Sequence, residues 1–170
     1  MSDFQAVADV IRAHRGAGRM FSAAGVRSFV RSGGSGESVV HIHGLPASSF
    51  LYRKVLDEVA AHGYRALAFD LPGLGLAERP RDFSYTIPAL SQWCAAAVDA
   101  LELERFHLVV HDAGGPVGFG LAARMPERIK SLTILDTVVE AERCRSQARF
   151  THASSTRCVA RCSRRGPGAN

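Results

Sequence analysis

Four short apolar runs, each ending on a chargeable residue, constrain this chain more than any other feature. Ser38 to Ile42 ends at His43, and Arg65 to Phe69 ends at Asp70. Phe106 to Val110 ends at His111 and Asp112, and Ser131 to Leu135 ends at Asp136. Helical stretches separate them. Ser48 or Ser49 can cap one that runs to about His62. Ile87 to Leu101 reads as a second, starting just before Pro88, and the turn after Asp112 opens a third that ends near Arg124. Strands that are apolar throughout bury both faces, so their alternation with helices predicts an α/β three-layer sandwich around a mostly parallel sheet. Ligands of such sheets bind beyond the carboxyl ends of the strands. His43, Asp70, Asp112 and Asp136 are therefore aimed at one rim.

The segments before and after this core read differently. Phe4, Val7, Ala8 and Ile11 have helical spacing, so residues 4 to 14 are expected to form a helix. Met20 to Val30 is strand-like, and the turn cluster Ser32 to Gly36 predicts an antiparallel hairpin with the next strand at the sheet edge. After about Val139 the alternation stops. The domain is expected to cover residues 1–140, with 141–170 an Arg-, Ser- and Cys-rich tail without regular structure. Loss of pattern from about Cys144 is expected to mark non-native sequence, from a frame shift or early truncation. The sheet would then be incomplete at its C-terminal side.

Charge and cysteine usage narrow the function classes. The net charge of +5 suggests a nucleic-acid partner, but seven of the 21 Lys and Arg and one of the 16 acids lie in residues 141–170. The remainder carries 14 basic and 15 acidic residues, so the basic character belongs to the tail and no nucleic-acid partner is expected. Cys158 and Cys162 have helical spacing but no second ligand pair, so no metal site is expected. No apolar run approaches the roughly 18 residues of a membrane span, and residues 1–19 do not read as a signal peptide. A cytoplasmic chain without a membrane partner is the expectation. The oligomeric state is open.

The turn Val110-His111-Asp112-Ala113-Gly114-Gly115 carries the chemistry. An apolar strand enters it, a helix leaves it, and two glycines let the backbone turn hard. Asp112 sits at the apex. The amide of Ala113 and the start of the helix favour a nearby anionic oxygen. On the bland reading Asp112 simply caps that helix. The run His43-Gly44-Leu45-Pro46, after a buried strand, aims the amide of Leu45 at the same rim. Amides of Leu45 and Ala113, from two separate loops, make an oxyanion hole.

These stretches resemble the α/β-hydrolase family, and within it the branch with an aspartate nucleophile that includes haloalkane dehalogenases and epoxide hydrolases. The resemblance is carried by residues 43–53, 69–75, 111–118 and 125–129, and spans about 100 residues. It implies a small-molecule substrate, no cofactor, and a carboxylate that attacks a carbon bearing a leaving group to form an ester. A histidine then activates water against that ester. An aspartate is already ionised at neutral pH and needs no adjacent base to attack. No Gly-x-Ser-x-Gly occurs, which disfavours a serine esterase.

This chain departs from the family pattern at several points. Dehalogenases of the family typically place a Trp after the nucleophile and a donor side chain after His-Gly, where this chain has Ala113 and Leu45. Tyr52, Tyr64 and Tyr85 all precede the turn, so none matches the cap tyrosines of epoxide hydrolases. Val110 is bulkier than the usual glycine before the His and is expected to strain the turn. Asp136, 24 residues beyond Asp112, is a candidate acid partner or else a turn residue. His43, Gly44, Pro46, His111, Gly114 and Gly115 are expected to support the loops. The later histidine is His152, in the tail, so the general base is expected to be missing and turnover impaired. A catalytically dead fragment or binding module is the alternative.

Overall fold

The computed structural model describes residues 3–138 and 158–160. Element order is α1 (Asp3–Gly16), β1 (Gly18–Ala23), β2 (Val26–Gly33), β3 (Ser38–Ile42), α2 (Arg53–Ala61), β4 (Arg65–Phe69), α3 (Ile87–Ala100), β5 (Phe106–His111), α4 (Gly114–Arg124), β6 (Ile129–Leu135) and β7 (Cys158–Ala160). Short 3-10 turns precede α2 and β6. The seven strands form one sheet in the order β1-β2-β4-β3-β5-β6-β7. The four middle strands β4, β3, β5 and β6 run parallel. Strands β1, β2 and β7 are antiparallel to their neighbours.

The three-layer architecture follows from strand alternation. On β4, Leu67 and Phe69 join the large core with α3 and α4, while Ala66 and Ala68 face Tyr52 and Leu56 on the other side. One face thus packs bulky side chains and the other packs alanines. Trp93 centres the large core at 1% exposure, and its indole N–H donates to Ala23 O at 3.0 Å. Cys94 beside it is fully buried, and burial pushes its thiol pKa up.

The structure corrects two expectations about the sheet edge. Met20 to Val30 is two strands, not one, hinged at Ala24 and Gly25, both with positive φ (45° and 77°). The glycine cluster before Ser38 does not close a hairpin. Strand β2 pairs antiparallel with β4, so the chain crosses past β4 to start β3. Gly34 permits the crossing, since a Cβ there would lie 2.2 Å from Tyr64 O. The expectation for residues 141–170 falls largely outside the described residues. Residues 158–160 are an exception: they add strand β7 to β6, where no strand was expected. Among the described residues, no helix is long and apolar enough to cross a membrane.

Val110 is matched by a glycine in helix α4. It is fully buried, and an added Cβ on Gly118 would lie 2.3 Å from Val110 Cγ1. The missing side chain at 118 accommodates the extra one at 110. Gly118→Ala is expected to destabilise the fold by about 1–3 kcal/mol through overpacking, and Val110→Ala in the same chain to recover part of that loss. Urea unfolding of the two single variants and the double variant measures the coupling. Strict additivity would contradict the contact.

Three buried histidines tie loops to this core. His14 rests on Phe29 and Phe50 and shares a hydrogen bond with Ser49 Oγ at 3.2 Å. His41 packs on Tyr52 and bonds Leu67 O through Nδ1 at 3.0 Å. His43 is fully buried at the end of β3. Burial holds all three below the usual histidine pKa. Each is therefore neutral when folded but takes a proton when unfolded, so the unfolded chain binds more protons. Their contribution is present above the unfolded histidine pKa of about 6.5 and is lost as pH falls below it. The urea midpoint is expected to drop between about pH 7.5 and about pH 5.5, before carboxylates titrate. A flat midpoint across that window would refute the assignment.

Candidate active site

Strands β3 and β5 are neighbours, with Ile42 opposite Val110, so the loops that leave them meet at the C-terminal edge of the sheet. Asp112 follows β5 with φ 53°, a left-handed conformation that costs a non-glycine residue energy. Tertiary contacts hold it there. Asp112 N donates to Asp136 O at 3.1 Å, and the Thr137 hydroxyl donates to Asp112 O. The turn therefore rests on the loop after β6.

The Asp112 carboxylate reaches across to the other loop. Its Oδ1 accepts the amide of Leu45 at 2.9 Å. Helix α4 has Ala113 at its N-cap position and no side-chain cap, so Asp112 bonds across loops instead of capping the helix. The amide of Ala113, then that of Leu45, hold the Asp112 carboxyl below the usual aspartate range. The nearby His111 contributes in the same direction, and slight desolvation opposes it. Asp112 is exposed and ionised at neutral pH. It lines a cleft of about 770 Å³ with Ile87, Pro88, Ala113, Pro116, Asp136, Thr137 and Val138.

Glycines make this approach possible. A Cβ on Gly44 would lie 2.1 Å from Asp112 Oδ1, so no side chain fits there. A Cβ on Gly114 would lie 2.5 Å from Ile42 O, and one on Gly115 would lie 1.9 Å from Thr137 Oγ1. The loop glycines thus clear room for the carboxylate, for the β3 loop and for the Thr137 hydroxyl.

His43 is a loop brace. Its Nδ1 donates to Gly44 O at 2.9 Å, and its Nε2 accepts the amide of Leu71 at 3.1 Å. That pairing requires the neutral ring. Pro46 follows Leu45 through a cis peptide bond. The His111 side chain is half-buried, and its Nδ1 is buried without a hydrogen-bond partner among the described residues.

Of the four groups aimed at the rim, the structure brings Asp112 and Asp136 into one cleft and withdraws His43 and Asp70 from it. Asp70 is fully buried. Its Oδ1 accepts the amide of Ser49 and its Oδ2 the amide of Leu76, both at 2.7 Å. It binds the β3 and β4 loops to each other. Asp136 is exposed, with φ 34°, and supplies its backbone carbonyl to Asp112. Thr137, whose hydroxyl holds the Asp112 carbonyl, is the site neighbour that sequence reasoning missed. A polar residue directly after a strand-end aspartate was its only signal. No group of three or more His, Cys, Asp and Glu is placed to hold a metal among the described residues. His152 lies outside the described residues.

Comparison with known proteins agrees with this architecture. The family model described as the alpha/beta hydrolase fold matches residues 37–159. A cis-3-alkyl-4-alkyloxetan-2-one decarboxylase of Shewanella oneidensis is 42% identical over 61% of this chain and 33% of its own length. A haloalkane dehalogenase of Agrobacterium fabrum is 37% identical over 62% of this chain and 34% of its own length. Among solved structures, an epoxide hydrolase of Vigna radiata superimposes with a TM-score of 0.67 at 35% identity, covering 70% of this chain and 37% of that one. The chain thus spans about a third of the length of the curated relatives it matches. With residues 37–159 matched and the sheet, the turn at Asp112 and the strand-end loops as described, the chain belongs to the alpha/beta hydrolase fold family.

Proposed function

We propose that Asp112 is the nucleophile of a hydrolase that forms an ester with a small-molecule substrate. The observation that carries this reading is the exposed Asp112 carboxylate, held at positive φ over a cleft and hydrogen-bonded to the Leu45 amide at 2.9 Å. One carboxylate oxygen attacks a saturated carbon, and the bond from that carbon to its leaving group breaks. The leaving group departs with the electron pair, as halide or as a ring oxygen that takes a proton from solvent. The other oxygen becomes the ester carbonyl and stays with the amides of Leu45 and Ala113. Those amides lower the basicity of the carboxylate, which slows attack, but they polarise the ester and stabilise the oxyanion when water adds. The second step gains what the first gives up.

The relatives' names support the substrate class. A haloalkane, an epoxide and an oxetan-2-one share a carbon joined to a halide or to a strained ring oxygen. Ala113 and Leu45 offer no side-chain N–H to a halide, which favours a strained ring for this chain. Asp136 shares the cleft and is the candidate acid partner for the second step. No histidine is placed in the cleft among the described residues, so ester formation is expected to outrun its hydrolysis.

Intact mass spectrometry after incubation with epoxides, β-lactones and haloalkanes tests this reading. A mass increase equal to the substrate, or to the substrate less hydrogen halide, is expected on the peptide carrying Asp112. Asp112→Asn is expected to abolish it. Asp136→Asn is expected to leave adduct formation within about threefold. Adducts that persist in Asp112→Asn would overturn the assignment.

A further inference from the structure

Helix α1 turns an apolar stripe to solvent. Phe4, Val7 and Ile11 follow one another at helical spacing and are 89%, 57% and 50% exposed. Gln5, Asp9 and Arg12 lie on the opposite side and hydrogen-bond among themselves. The last turn is what docks: His14 is buried against Phe29 and Phe50 while the stripe before it stays open. A contiguous exposed apolar stripe on one helix face marks an interaction surface.

A second feature adjoins the first. Where α1 ends, a cleft of about 420 Å³ is lined by Arg15, Arg19 and Arg27 over Met20, Phe29 and Leu76. All three arginines are exposed. Among the described residues none of them pairs with a carboxylate, whereas Arg12, Arg31 and Arg128 each do. The neighbouring Glu78 accepts from the backbone amide of Arg27. Arg15 stands one turn beyond Ile11, so the stripe runs into the cationic cleft. From Phe4 to Arg15 the helix covers about 16 Å.

An apolar stripe that ends in unpaired guanidiniums matches the boundary between acyl chains and phosphate headgroups. A free phosphate would leave the stripe unused. We propose that α1 and the Arg15–Arg19–Arg27 cleft dock this protein on an anionic lipid surface. The helix lies in the plane of the interface with Phe4, Val7 and Ile11 inward, and the guanidiniums bind lipid phosphates. The contact is peripheral, because 14 residues are too few to span a bilayer. The expectation of no membrane partner rested on the absence of a span, which this geometry does not need.

The test is co-sedimentation of the full chain with phosphatidylcholine vesicles, with and without phosphatidylglycerol. Binding is expected with phosphatidylglycerol alone and is expected to weaken as salt rises. Arg19→Glu/Arg27→Glu and, separately, Val7→Asn/Ile11→Asn are each expected to lower the partition coefficient at least about tenfold. All four residues are exposed, so the fold tolerates the changes. As a second readout, a Phe4→Trp chain is expected to shift its emission to the blue on anionic vesicles. The Arg-rich residues 141–170 also attract anionic lipid, so parental binding in both double variants would assign the contact to them and overturn the proposal. Equal binding to pure phosphatidylcholine would overturn it, as would no binding at all. Loss of binding in inorganic phosphate, with no effect of the stripe variants, would mark a free-anion site instead.

Discussion

The hydrogen bond from the Leu45 amide to Asp112 Oδ1 is the contact on which the site depends, because it joins two loops that share no sequence neighbourhood. Everything around it serves that approach. Gly44 lacks the atom that would block it, and Gly114 lets α4 begin against the β3 carbonyls. His43 stiffens the loop that carries Leu45, and Asp70 fastens the far end of the same loop to the segment after β4. A positive φ at Asp112 is unfavourable alone and persists because the carbonyl of Asp136 and the hydroxyl of Thr137 fix the backbone on either side.

The location of the cleft is a property of the strand order. Strand β3 has β4 on one side and β5 on the other, so the chain reverses its direction of travel across the sheet there. The connection after β3 carries α2 to one face, and the one after β4 carries α3 to the other. Loops diverging to opposite faces leave a crevice between them, and open sheets bind ligands at this kind of point. The Leu45 loop starts at that crevice, and the Asp112 turn closes it.

Much of this was legible in the sequence, for reasons that can be traced to single residues. The core strands β3, β4 and β5 show as apolar runs because both of their faces are covered, and the 3-10 turn that leads into α2 announces itself through Ser48, whose hydroxyl accepts the Phe50 amide. The β1–β2 hairpin was hidden because Ala24 holds the first positive-φ position of its turn. Asn or Asp would have signalled it, and alanine does not. The antiparallel pairing of β2 with β4 was not readable, since pairing is set by tertiary packing and the glycine cluster looked like an ordinary turn. In the site, the turn at Asp112 was legible from its glycines. The division of labour between Asp70 and Asp112 was not, because both are aspartates after apolar strands and only their surroundings separate brace from nucleophile candidate.

The contact between Val110 and Gly118 also bears on how such a chain could have changed over time. The two positions share one volume, so they cannot enlarge independently. A lineage that carries valine at 110 gains a side chain at 118 only with overpacking of about 1–3 kcal/mol, unless residue 110 shrinks first. The order of substitutions is thereby restricted by about one side chain's worth of space. Two relatives with different residues at this pair are joined at least cost through an intermediate that is small at both positions.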